Sequence, residues 1–444
     1  MKQSLNRYTI ILIAAISLLC ASNIKWGGNR WKEIVAFDGK GYCAYLPAIF
    51  IYDDLHFAFH DSIEKKYAIK NTYYEYRVIK ENGVVDKYYA GTAFMQLPFF
   101  IVANLITKIT GEITDGYSFI YQLAISIAGI FYGLIGLYLL RRLFRIYAIS
   151  ESIISIVLIA LFFGTHLFYY CVLEPSLSHV YSFAAITAFV LILKKYTLRQ
   201  NRKYLILSGF LLGVIVLIRP VNGLIIFILP FLSGDKENFF KTIKAMFKKN
   251  SGILFSILLF LVIISIQGII HFVQTGQIYI YSYTVERFIW NRPEIINILF
   301  SYRKGLFVYT PLTLIALISF IILYRKNIFL LFSFLLFLLT ISYVFSCWWL
   351  WSYGGSFSSR PYVEFLPLFG LILALSLMKI KDKLLRMTTY ALFISCIILC
   401  QVQTLQFRYF IIHWDKMDKE HYWRVFMRAD LISKNENPNV DLLE

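Results

Sequence analysis

The sequence predicts an all-α polytopic membrane protein, a bundle of about eleven spans with a long first loop on the outer side. Three observations predict it. Of 444 residues, 59% are hydrophobic and only 16% are charged, too little charge for a soluble chain of this length. Apolar runs approach or exceed the roughly 20 residues that cross a bilayer, where a membrane barrel would show short alternating segments and strands are not expected. The basic residues, 44 against 26 acidic, fall largely in short loops between those runs. That positive-inside pattern accounts for the net charge of +18 and argues against nucleic acid as a partner.

Lys2 and Arg7 followed by an apolar run have the pattern of a signal peptide, but Leu19 is too large for a lipoprotein cleavage motif ending at Cys20. An uncleaved first span over 8–22, leading out, is the simpler reading. Basic clusters at 141–145, 194–203, 236–249, 325–326 and 379–386 then lie inside with the N-terminus. The first outer segment is 25–116, and 117–140 returns. The apolar run 92–109, interrupted by Pro98, cannot also cross without placing Arg141 and Arg142 outside, so it lies at the outer interface. The stretch 152–193 crosses twice around a turn at 164–180. The stretch 204–232 is short for two spans and makes two helices meeting outside at Arg219-Pro220. The runs 251–270, 309–324, 327–345, 361–378 and 388–405 complete the bundle, so that 1–406 is one transmembrane module and 407–444 a short polar outer tail. No internal repeat stands out.

The six cysteines include no Cys-x-x-Cys pair and no zinc spacing. Cys396 and Cys400 share a helix face and read as packing residues. Cys43, Cys171 and Cys347 all fall outside, where a disulfide is open but not assignable.

The same parity gathers the unusual residues on the outer face: Asp38, Lys40, Tyr42, Tyr45, Glu174, His179, Arg219, Arg303, Lys304 and Arg360, with Trp348, Trp349, Trp351 and Tyr353. Asp38 reads either as a helix cap or as a base able to take a proton from a hydroxyl. Gly39 and Gly41 would let a substrate approach it. Arg303 and Lys304 would hold a phosphate, or snorkel to lipid headgroups. Arg360 follows a Gly-Gly-Ser loop suited to an anion, and its alternative is an ion pair with Glu364, which also counts among the pocket candidates. Arg219 needs a partner, Glu174 or a carbonyl, or else a substrate phosphate. The tryptophans and Tyr353 would stack on a sugar, or belong to an interfacial belt. Asp53 and Asp54 are weak cation candidates. Glu174 and His179 do not make a serine hydrolase, because no nucleophile elbow is present.

Phe37-Asp38-Gly39-Lys40-Gly41-Tyr42, the Pro98 segment, Arg219-Pro220, Arg303-Lys304-Gly305 and the run from Gly354 to Arg360 together resemble the GT-C glycosyltransferases. That superfamily includes the dolichyl-phosphate-mannose protein mannosyltransferases and the lipid A aminoarabinose transferases. The resemblance implies a GT-C-like bundle in a bacterial inner membrane. It implies inverting transfer of a sugar from a polyprenyl-phosphate donor to a glycolipid, polysaccharide or protein acceptor. Asp38 would be the base, no cofactor would be required, and a divalent cation stays open. Many members carry Asp-Glu where this chain has Asp38-Gly39. A lipid-linked sugar flippase would instead need charge along a path through the spans. A non-catalytic assembly subunit for envelope polysaccharide would tolerate Asp38→Asn.

Overall fold

The computed structural model describes residues 5–67, 73–248 and 252–434. Lys2 and Lys249 of the basic clusters lie outside the described residues. Among those described, eight helices are long and apolar enough to cross a membrane, and three shorter apolar helices accompany them. The fold is therefore that of a mostly helical, multi-pass membrane protein.

Helix α1 (Leu5–Ala21) continues through a π-helical turn at Ser22–Trp26. A 3-10 turn at Arg30–Glu33 leads to α2 (Asp38–Pro47) and then α3 (His60–Tyr67). Two strands that the sequence reading did not foresee follow, β1 (Arg77–Lys80) and β2 (Gly83–Asp86), paired antiparallel with Arg77 opposite Asp86. The Asn82-Gly83 step between valine and isoleucine runs is the local cause. Gly83 has φ +156°, and a Cβ there would lie 2.0 Å from the Gln274 carbonyl oxygen. Only glycine lets the hairpin seat on that helix end.

Helix α4 (Gly91–Thr110) contains Pro98 without breaking. It runs antiparallel along the first half of α5 (Phe119–Ile146), with the Tyr132 hydroxyl on the Met95 carbonyl at 2.7 Å and Thr107 against Tyr121 at 3.2 Å. By length and composition α4 could cross. Its two ends nevertheless both lie against the first loop: Tyr52 bonds the Asp115 carbonyl at 3.1 Å and Tyr45 bonds the Tyr88 carbonyl at 2.6 Å.

The next segments follow the predicted runs closely: α6 (Glu151–Phe163), a short α7 (Leu167–Val172) inside the turn, α8 (Ser178–Arg199) and α9 (Arg202–Ile218). Pro220 opens a 3-10 helix to Ile228 that continues as α10 (Leu229–Ser233), so two segments do meet at Arg219. Helix α11 (Lys236–Phe247) precedes α12 (Gly252–Thr275). The loop after α12 holds α13 (Ile295–Phe300) and α14 (Leu306–Tyr309). Then come α15 (Pro311–Tyr324), α16 (Ile328–Ser346), a 3-10 turn at Arg360–Phe365 leading into α17 (Leu366–Lys379), and α18 (Lys383–Arg408).

Helices α8 and α17 form the centre, being 78% and 94% buried over their apolar windows, whereas α12 and α18 are only 22% and 17% buried. Helices with such open apolar faces are those that meet lipid. The tail is not free. It forms α19 (Lys419–Val425) and α20 (Asp430–Lys434), and Gln403 and Gln406 of α18 bond Tyr422 and the Val425 carbonyl, each at 2.6 Å.

Candidate functional site

A cavity of about 1470 Å³ lies among the loops at one end of the bundle. Asp38, Lys40, Tyr42, Glu174, His179, Arg219, Tyr353 and Arg360 line it, together with Trp348 and Trp349. Tyr45, Trp351, Arg303, Lys304, Asp53, Asp54 and Glu364 do not. The cavity thus gathers most of the residues that the sequence predicts on the outer face, and those seven lie outside its lining.

Asp38 opens α2. Phe37 before it has φ +46° and ψ −128°, a conformation that costs an L-residue roughly 1–3 kcal/mol and is retained where the surroundings impose it. The two glycines serve packing rather than substrate approach. A Cβ on Gly39 would lie 2.1 Å from Ser176 Oγ, and one on Gly41 would lie 2.5 Å from the Tyr88 ring. These contacts draw the start of α2 against the α7–α8 turn and the end of the hairpin.

Asp38 Oδ2 is 2.9 Å from Arg360 Nη1, and the Tyr74 hydroxyl donates to Oδ1 at 2.8 Å. The Tyr74 and Tyr88 hydroxyls are themselves in contact. Burial pushes the Asp38 carboxyl up, but Arg360, the hydroxyls of Tyr88 and Tyr74, and Lys87 together outweigh it and hold the group at about 2. Asp38 is an anion at any physiological pH. Arg360 is thus partnered by Asp38, not by Glu364. The reason is local: residues 360–365 are 3-10 helical, so positions four apart do not share a face.

Glu364 is fully buried and anchors a second cation. Its Oε1 accepts from Arg219 Nη1 at 2.7 Å and lies 3.0 Å from His179 Nδ1. Glu364 is therefore a positioning residue behind the cavity wall, and Glu174 is not the partner of Arg219. Lys40 is paired with Glu64 at 2.6 Å. Tyr42 stacks at a tilt on Tyr88, with ring centres 4.4 Å apart, and Tyr353 bonds the Phe345 carbonyl at 2.9 Å.

Arg303 and Lys304 are committed elsewhere. Arg303 forms a bidentate pair with Asp415 at 2.8 and 2.9 Å, and its guanidinium lies 5.7 Å from the Trp351 ring centre. Lys304 Nζ is buried and donates to the carbonyls of Ser356 and Trp414. Together they tie the tail to the Gly354–Ser356 loop. Tyr45 is buried on the Tyr88 carbonyl. Neither aspartate of the Asp53-Asp54 pair fits a cation site. Asp53 is exposed in a left-handed helix cap, and Asp54 accepts the backbone N–H groups of His56 and Ala58 at 2.8 and 2.6 Å. His60, Asp61 and Glu75 bring metal-ligating atoms within 4.8 Å of one another, yet Arg77 bonds both carboxylates at 2.9–3.2 Å, so a cation already fills the place. Cys43, Cys171 and Cys347 are buried free thiols and form no disulfide; Cys43 donates to Gln96 at 3.1 Å.

Several lining residues escaped the sequence reading: Lys25, Tyr74, Lys87, Tyr88, Tyr169, Tyr170, Tyr283 and Arg408. For Tyr74 and Tyr88 a signal was present, as tyrosine pairs in a polar segment, Tyr73-Tyr74 and Tyr88-Tyr89. No family model and no curated protein matches the chain.

Proposed function

We propose that the protein is an inverting glycosyltransferase that moves a sugar from a polyprenyl-phosphate donor to an envelope acceptor at the outer face of a bacterial inner membrane. One observation carries the reading: a roomy cavity lined by tyrosine and tryptophan in which an ionised carboxylate and two arginines converge. Aromatic faces suit sugar rings, and guanidinium groups suit phosphate. The donor's lipid tail would lie along the bundle, with about eleven spans and a cytoplasmic N-terminus.

Arg360 and Arg219 would bind the donor phosphate. The acceptor hydroxyl oxygen would attack the anomeric carbon from the opposite face, breaking the bond to the phosphate oxygen. Polyprenyl phosphate would leave with that electron pair, and Asp38 would take the hydroxyl proton. A carboxyl held at about 2 is a poor proton acceptor. The donor phosphate would resolve this by drawing Arg360 from Asp38, leaving burial to raise the carboxyl's affinity for a proton. Deprotonation of the acceptor would then wait for the donor.

The test is sugar transfer in membrane vesicles supplied with radiolabelled polyprenyl-phosphate sugars and native envelope acceptors. Wild type should transfer, and Asp38→Asn at equal protein level should not. Equal transfer by both would remove Asp38 from the chemistry, and movement of the lipid-linked sugar without a glycosidic product would make the protein a flippase.

A further inference from the structure

Past Tyr169 and Tyr170 the cavity ends in a second polar cluster that the mechanism above does not use. It is built from four places in the chain: Lys25 at the end of the first span, Glu33 in the following 3-10 turn, Glu174 between α7 and α8, and Arg408 at the end of α18. Arg30 and Lys32, neighbours of Glu33 in the chain, also line the cavity.

The cluster is loosely satisfied. Both Arg408 Nη atoms lie 3.2 Å from a single oxygen, Glu33 Oε2. Lys25 is 1% exposed yet lines the cavity, with its Nζ 3.4 Å from the Glu33 carbonyl and 3.9 Å from Glu33 Oε2. The only hydrogen bond to the Glu174 carboxylate among the described contacts is 3.4 Å long, from the Tyr169 hydroxyl. Charge-assisted pairs ordinarily close to about 2.7–2.9 Å. The other ion pairs of this cavity do so, at 2.9 Å for Asp38–Arg360 and 2.7 Å for Glu364–Arg219. One carboxylate shared loosely by two cations, one of them buried, is an arrangement that an incoming anion completes.

The surroundings are those of a lipid. Helices α1 and α18 both pack on α6, and Ile24 just past α1 and Phe407, Phe410 and Trp414 at and beyond the end of α18 line the cavity beside the cluster. Phe410 and Trp414 are 56% and 45% exposed. Below them both helices present open apolar faces, Leu18 and Leu19 on one and Ile398 and Leu405 on the other.

We propose that this cluster is a second anion-binding site, which takes the phosphate or carboxylate headgroup of an amphiphile entering sideways from the outer leaflet between α1 and α18. If the protein is the transferase argued above, that amphiphile is the acceptor, an anionic glycolipid, and the donor occupies the Arg360 end. The binding itself does not depend on that reading.

The test is native mass spectrometry of the full chain released from maltoside micelles, counting bound phosphatidate against diacylglycerol and against inorganic phosphate. All variants carry Arg360→Gln, which removes one of the two arginines of the first phosphate site and leaves the Asp38 carboxylate there unopposed. The expected result is retention of one phosphatidate and no diacylglycerol. Adding Lys25→Gln and Arg408→Gln should weaken it at least tenfold, while adding Glu33→Gln, which frees both cations, should tighten it. A misfolded variant cannot produce that tightening. Loss of phosphatidate with Arg360→Gln alone, or indifference to Lys25, Arg408 and Glu33, would overturn the site. Inorganic phosphate binding as tightly as phosphatidate would overturn the amphiphile. Transfer activity plays no part in the readout, so this site and the transferase reading fail separately.

Discussion

Two pairs of cations look alike in the sequence and behave differently in the structure. Arg303-Lys304 and Arg219/Arg360 both stand at the ends of apolar helices, next to glycine, serine or proline. Arg219 and Arg360 keep one face on the cavity because their partners, Glu364 and Asp38, hold them from behind or beside it. Arg303 and Lys304 turn away and spend their donors on Asp415 and on two carbonyls. What decides the fate of an interfacial cation is thus the acceptor the fold brings to it, and that acceptor is distant in sequence.

The largest expected effects break this comparison at its cavity side. Asp38→Asn should lower transfer by about 10²–10⁴, the range for loss of a general base. Arg360→Gln should lower it by about 10²–10³, the range for loss of one preorganised charge at a developing anion. Both are read as initial rates at equal protein level. If Arg303→Gln with Lys304→Met lowered transfer as severely while leaving the thermal midpoint unchanged, the contrast drawn here would be reversed.

The pair at the heart of the site can be sharpened by pH. With Asp38 held at about 2, below its ordinary 3.8, its pairing stabilises the fold above about pH 4 and is lost as pH falls toward 2. Arg360→Gln removes the opposing charge and should move the Asp38 carboxyl upward. The acid limb of kcat/KM, which reports the free enzyme, should then shift to higher pH in the variant. An unmoved limb would mean that Arg360 does not set the charge on Asp38.

On the structural side, Arg303→Gln should leave transfer within about threefold of wild type and destabilise the docked tail by on the order of 1 kcal/mol, as befits a partly exposed ion pair. Limited proteolysis after Arg408 reads this directly. Cleavage should accelerate in the variant while the helices before it stay intact.

The same contrast explains what was legible. Apolar runs are decided locally, so the apolar helices could be read to within about six residues at their ends, and the meeting of two segments at Arg219-Pro220 could be read as well. Asp38 was legible because a carboxylate beside a membrane end has few reasons to be there. Glu364 was legible as a partner but attached to the wrong arginine, since spacing by four presumes an α-helix and the chain is 3-10 helical there. Tyr74 and Tyr88 were lost in the high aromatic content, which interfacial belts explain in general. The hairpin that carries them onto Asp38 was passed over because its Asn82-Gly83 signal is only two residues long. Docking of the tail was not legible either, because Gln403 and Gln406 announce nothing in sequence and Arg303 reads there as a ligand for phosphate.

The smallest effect tests Lys304 itself. Burial, with Arg360 and Arg303 adding to it against Asp415, lowers its ammonium to about 7 from an ordinary 10.5. Between those values the unfolded chain binds more protons at this site than the folded one. Stability must therefore rise with pH across that window. Below about 7 both states carry the charge, and the cost of burying it is felt in full. The thermal midpoint of wild type in neutral detergent should climb between pH 7 and 10, and Lys304→Met should flatten that slope. The variant would also lose the two carbonyl contacts, so its midpoint at pH 10 should fall below that of wild type. A slope that survives in Lys304→Met would assign it to another group, and a variant more stable at every pH would show that the ammonium contributes nothing to holding the tail against the Gly354–Ser356 loop.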